Sequence, residues 1–186
     1  GTLQRQRETA AELAPVVKDQ AAPQRLESLN EYHGDPLIHI YLRDHAAREG
    51  VAPPDGWPIK DNRTFQSVLK AASARWIRDE LEPQDCDQGF EYWRDFKQRV
   101  YEAVDQIMSA HSGGSRVLVS TSGGVISTAL QRVLGFSDQQ VIATNWMVHN
   151  SSVTKVRYGG GRISLSQFNC LPHLERQDKQ HLITYR

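Results

Sequence analysis

The sequence predicts an α/β fold, and three observations carry that prediction. Val117-Leu118-Val119 is a short run of the kind found in a buried parallel strand, and helical periodicity resumes directly beyond it. Upstream of that run, apolar residues recur at helical spacing in several separate segments. Downstream, two extended stretches, 152–158 and 162–168, flank Gly159-Gly160-Gly161 and read as a β-hairpin.

In chain order, the first residues run straight into a helical pattern with Leu3, Ala10, Leu13 and Val17 on one face. A polar connection, 24–31, leads to Asp35-Pro36, a cap residue followed by the imino acid that suits a first helical turn. The helix expected there runs to about Arg48 and ends at Gly50. Pro53, Pro54, Gly56 and Pro58 mark an irregular loop, after which Phe65, Val68, Leu69, Ala72 and Trp76 keep helical spacing up to Pro83. Phe96, Val100, Ala103, Val104 and Ile107 form the apolar face of the next helix, which Gly113-Gly114 closes. After the short apolar run, Ile126, Ala129, Leu130 and Val133 give a further helix its buried face, with Gly135 as the stop.

The 186 residues suffice for one hydrophobic core, and no repeat or composition break calls for a second domain. Two cysteines, Cys86 and Cys170, argue against a disulfide framework and against a cysteine zinc site. No apolar run approaches the roughly 18 residues of a membrane helix, and no signal peptide opens the chain, so the cytoplasm is the expected compartment. With 22 basic and 22 acidic residues the whole chain exerts no attraction on nucleic acid, and a small partner is expected over a polymeric one.

The junction Ser120-Thr121-Ser122-Gly123-Gly124 is the most informative part of the chain. A strand gives way there to a helix, whose first N–H groups are unpaired and lie at the positive end of the helix dipole, while glycines admit an anion closely. The same glycines read equally as the tight turn alone, and the P-loop lysine is missing. Arg5 and Arg7 offer guanidinium forks that match phosphate oxygens, or else a solvated helix face partnered by Glu8 and Glu12. Glu31, in Asn30-Glu31-Tyr32-His33-Gly34, reads as a partly buried general acid or as a surface carboxylate.

In their order these segments resemble the histidine phosphatase superfamily, which includes cofactor-dependent phosphoglycerate mutase and broad-specificity phosphatases. Residues 1–10 resemble its S-D-L-x-R-A-x-Q-T-A segment, with the phosphate-binding Arg falling on Arg5. Leu29 to Gly34 resemble L-N-E-x-x-x-G, whose proton-donating Glu falls on Glu31. Phe96 to Val100 resemble F-x-x-R-V, and Val119 to Ile126 resemble V-x-S-H-G-G-x-I. His149 to Thr154 and Phe168 to Leu174 resemble the closing hairpin and the N-x-x-x-H-L ending.

The resemblance implies a three-layer α/β/α sandwich, phosphoglycerate mutase-like, with a helical insertion over about 35–88 and a C-terminal β-hairpin. It implies a phosphomonoester hydrolase working through a phosphohistidine, with Glu31 as acid and Arg5, Ser122 and Gly123 holding the phosphate, with the Gly124 amide beside them. Two departures shape the expectation. None of the seven histidines stands between Arg and Gly, so the nucleophile and the first strand are expected upstream of Gly1. Ser122 stands where the pattern has a second histidine, so the alternative is a catalytically degenerate phosphate-binding or protein-interaction module. Neither a metal nor another cofactor is implied. The expected partner is a small phosphorylated substrate, with a homodimer left open and no nucleic acid or membrane. Trp57, Trp76, Tyr41, Arg43 and Arg48, in the insertion, read either as substrate-selecting residues or as core.

Overall fold

The computed structural model describes residues 1–17, 22–52, 54–111 and 114–185, so Pro53 and Gly113 lie outside the described residues. Among these residues the chain forms six α-helices and one two-stranded antiparallel sheet. It divides into two compact units, residues 1–31 with 98–186, and residues 32–97.

In the first unit, helix α1 covers Gln4–Leu13 and passes into a short 3-10 segment, Ala14–Val16. Pro15, in that segment, cannot continue the α-helical ladder, and of the expected apolar face Leu3, Ala10 and Leu13 are half-buried while Val17 is exposed. The one buried residue of α1 is Gln6. The C-terminal half of helix α4, Trp93–Ala110, contributes Val100 and Ala103 to the core.

Residues 117–119 form neither a helix nor a paired strand among the described residues, and they are 40%, 58% and 41% exposed. The sequence predicts a buried strand here. A buried parallel strand draws its hydrogen bonds from neighbouring strands and the cover of its faces from helices, and among the described residues no strand pairs with this segment.

Helix α5, Gly123–Leu134, ends at Gly135 in the left-handed region (φ 71°). Its buried face is Val125, Ser127, Thr128 and Gln131, with Leu130, while Ile126, Ala129 and Val133 are only half-buried. The helix packs against both helix α6, Asp138–Asn145, and strand β2, Arg162–Cys170. It is therefore covered along a face of small hydroxyl side chains that a count of apolar residues does not register. Helix α6 begins at a capping box, with the Ser137 hydroxyl accepting from Gln140 N–H while the Gln140 side chain accepts from Ser137 N–H. Strand β1, Val153–Gly159, pairs with β2 from Gly159↔Arg162 to Val153↔Cys170. Gly160 and Gly161 turn the chain with φ of 56° and 72°, the conformation of the tight hairpin turn that matches strand twist.

The second unit holds helix α2, Gly34–Asp44, and helix α3, Asn62–Trp76, packed together. Helix α2 starts two residues earlier than Asp35-Pro36 suggests, with His33 as its cap, so Asp35 lies in the first turn where the helix dipole favours a carboxylate. Asp61 caps α3 by accepting from Thr64 N–H at 2.7 Å. The core gathers around Trp76, which is ringed by Tyr32, Trp93 and Phe96 at 4.6–5.7 Å between ring centroids. The Trp76 indole N–H donates to Glu91 O at 2.7 Å.

Candidate active site

Three segments of the first unit are stitched into one cluster: the start of α1, residues 28–31, and the turn from Ser120 into α5. Thr2 and Asn30 bond reciprocally, Thr2 N–H to Asn30 Oδ1 at 2.6 Å and Asn30 Nδ2 to Thr2 Oγ1 at 2.7 Å. Ser120 Oγ donates to Gln6 O at 2.8 Å, and Thr121 Oγ1 donates to Leu29 O at 2.8 Å. From α4, Arg99 Nη1 donates to Ser28 O at 2.9 Å and Asn30 O at 2.8 Å, gripping the backbone just before Glu31.

Each expected site residue falls in this cluster. Arg5 is exposed, and its Nη2 donates to Ser122 Oγ at 3.4 Å. Ser122 is the N-cap residue of α5, yet its hydroxyl makes no capping bond. That place is taken from 93 residues away: buried Glu31 accepts the Gly124 N–H on Oε2 at 2.9 Å. A carboxylate on the N-terminus of a helix is favourable. It also corrects one expectation, because the Gly124 amide is engaged by Glu31 instead of lying open to an anion. At Gly123 an added Cβ would overlap Asn145 Oδ1, at the end of α6, so a side chain there requires Asn145 to shift.

The electrostatics of α1 differ from those of an ordinary helix. Its first turn holds no acidic residue and does hold Arg5, a cation where the dipole disfavours one. From that first turn the Arg5 guanidinium and the Gln6 amide both reach the hydroxyl of Ser122, the N-cap residue of α5. Arg7 lies exposed on α1.

Sequence reasoning missed Gln6, which is 2% exposed and bonds Ser122, Leu29 and Leu3. Its only signal was a long amide between two arginines in a helix start. The F-x-x-R-V motif included Arg99 without giving it a role, and its contacts with Ser28 and Asn30 lie in a segment distant in sequence. Of the proposed selectivity residues in the second unit, Tyr41 and Trp76 are core. Arg43 is bound to Asp44 and Asp87, each at 2.7 Å. Trp57 is 46% exposed and packs on the His39 ring at 4.2 Å, and Arg48 is exposed.

Among the described residues no group of His, Cys, Asp and Glu is placed to hold a metal ion, and no helix is long and apolar enough to cross a membrane.

The model of the histidine phosphatase superfamily (branch 1) matches residues 56–171. The chain belongs to that superfamily, whose members are phosphatases or mutases. Its similar relatives include the 2,3-bisphosphoglycerate-dependent phosphoglycerate mutases of Histophilus somni strains 2336 and 129Pt, each 29% identical over 114 residues. That stretch is 61% of this chain and 44% of either relative, so the chain spans less than half the length of the curated relatives it matches. No solved structure is matched. Ser122 and Gly123 fall inside the family match, whereas Arg5 and Glu31 precede it.

Proposed function

We propose that this chain carries the phosphate-holding half of a phosphomonoester hydrolase that works through a phosphohistidine. In this reading it is one domain of three-layer α/β/α architecture, and the attacking histidine sits on a strand upstream of Gly1. Residues 117–119 are then an inner strand of the sheet, which accounts for their exposed apolar side chains. The observation that carries the reading is the convergence of the Arg5 guanidinium and the Gln6 amide, from the first turn of α1, on the hydroxyl of Ser122 at the start of α5.

The histidine attacks phosphorus as the P–O bond to the alcohol breaks, and Arg5 and Ser122 neutralise and orient the phosphoryl oxygens. Glu31 gives its proton to the departing alkoxide. Water then attacks the phosphohistidine, Glu31 takes up its proton, and inorganic phosphate leaves with the histidine restored. Every role here belongs to a residue of the cluster except that of the upstream nucleophile.

Release of inorganic phosphate from phosphomonoesters by the full-length protein, with acid-labile phosphate trapped on histidine, tests this reading. Turnover unchanged by Arg5→Ala refutes the assignment of Arg5. One feature favours a second reading, a phosphate-binding or protein-interaction module without turnover: Ser122 brings no charge where the family pattern has histidine, and a lost preorganised donor typically costs about 2.7–4 kcal/mol. Phosphate binding with no trapped phosphohistidine selects that reading.

A further inference from the structure

The hydrogen bonds around Ser122 have only one consistent assignment. Gln6 Nε2 lies 3.1 Å from Leu29 O, which can only accept, and Gln6 Oε1 lies 3.3 Å from Leu3 N, which can only donate. The amide is therefore fixed end for end. The group facing Ser122 Oγ at 2.9 Å is its NH2, and the hydroxyl oxygen must accept from it. Arg5 Nη2 supplies a second N–H to the same oxygen at 3.4 Å. A hydroxyl has two acceptor positions and one proton, so with both acceptor positions taken the proton points away from Gln6 and Arg5.

We infer that Gln6 is a positioning residue that makes the Ser122 hydroxyl a dedicated hydrogen-bond donor toward the phosphoryl group. The inference rests on the phosphate-holding role proposed above. Gln6 is 2% exposed and already bonded on both ends of its amide, so it acts on the phosphate through Ser122. Its second N–H is spent on Leu29 O, so turning the amide end for end would set Gln6 Oε1 against that carbonyl, acceptor against acceptor, and its NH2 against the Leu3 N–H. The arrangement also explains how serine serves where the family pattern has histidine. Gln6 stands where that pattern has alanine, and the longer side chain reaches the shorter one. The polarising N–H groups come from Gln6 and Arg5, and the donor is the hydroxyl.

A double-mutant cycle tests the coupling. The affinity of the full-length protein for inorganic phosphate is measured by calorimetry for wild type, Gln6→Met, Ser122→Ala and the double variant, with the melting temperature of each. The expected result is a loss of roughly 10- to 100-fold for either single change, the range of a hydrogen bond to a charged group, and no further loss in the double variant. Independent, multiplying losses overturn the inference, as does a Gln6→Met protein with a lowered melting temperature and unchanged affinity. Where Gln6→Met does not fold, Gln6→Glu keeps the shape and, when ionised, draws the Ser122 proton to itself. Its affinity relative to wild type at the same pH is expected to recover on acidification, when the neutral acid again has a proton to donate. A loss independent of pH overturns the inference. Wild-type protein that binds no phosphate refutes the proposed function itself, whereas wild-type binding without coupling refutes only the role of Gln6.

Discussion

Arg99→Met removes the grip on the backbone that leads into Glu31. In the wild type one guanidinium nitrogen donates to both Ser28 O and Asn30 O, at 2.9 and 2.8 Å. Bonds from a charged donor are worth about 1.5–3 kcal/mol each, and methionine leaves both carbonyls without that donor. The side chain is only half-buried, so water recovers part of the loss and the expected cost is about 2–4 kcal/mol. For a chain of this size that lowers the melting temperature by roughly 4–16 °C. Equilibrium unfolding in urea, followed by tryptophan fluorescence, measures the free energy directly. Because the segment also delivers Glu31 to the Gly124 N–H, phosphate-ester turnover is expected to fall with stability. Arg99→Lys, which keeps the charge but offers a point donor in place of a planar fork, is expected to lie between the two. A methionine variant that melts within about 1 °C of wild type refutes the reasoning, because it means the two carbonyls find other donors at no cost.

Gly123→Ala is expected to destabilise by about 1–3 kcal/mol, since its Cβ overlaps Asn145 Oδ1, and shortening the neighbour by Asn145→Ala is expected to restore most of the loss in thermal melts. Arg5→Ala, at an exposed position, is expected to change stability by no more than about 0.5 kcal/mol while lowering turnover of a phosphomonoester by roughly 100-fold or more, so a large melting shift counts against a pure binding role. Glu31→Gln is expected to slow alkyl phosphates more than an aryl phosphate whose leaving group needs no proton, and equal losses refute the acid role. Burial, followed by the hydrogen bond to Glu49, pushes the Tyr41 hydroxyl up to about 12. The folded state thus holds this proton more tightly than the unfolded chain. The stability it confers is complete below the ordinary tyrosine value near 10 and is lost as pH rises from there to about 12. Tyr41→Phe is expected to flatten that alkaline loss in urea titrations run across this range.

What the sequence alone determined is local chemistry at short range. Helical spacing located α3 to α5, Asp35-Pro36 pointed to α2 although that helix ends at Asp44 instead of near Arg48, Gly135 marked the end of α5, and Gly159-Gly160-Gly161 marked the hairpin turn, because caps, glycines and apolar periods act within a few residues of themselves. Ordered motifs likewise singled out Arg5, Glu31, Ser122 and Gly123. Helix α6 was legible too, in the Ser137-to-Gln140 box, and passed over because its apolar period is weak. Only the tertiary structure decided which groups meet. Glu31 caps a helix 93 residues away, Gln6 and Arg5 reach Ser122 across more than 110 residues, and Asn145 lies where a side chain at Gly123 would go. No periodicity encodes such pairs, since hydrogen bonding and steric overlap depend on ångström separations that exist only after α1, α5 and residues 28–31 have packed. The same reason explains residues 117–119, whose strand-like sequence is satisfied only by a neighbouring strand: composition gives a segment its preference, and the partners beside it decide whether that preference is met.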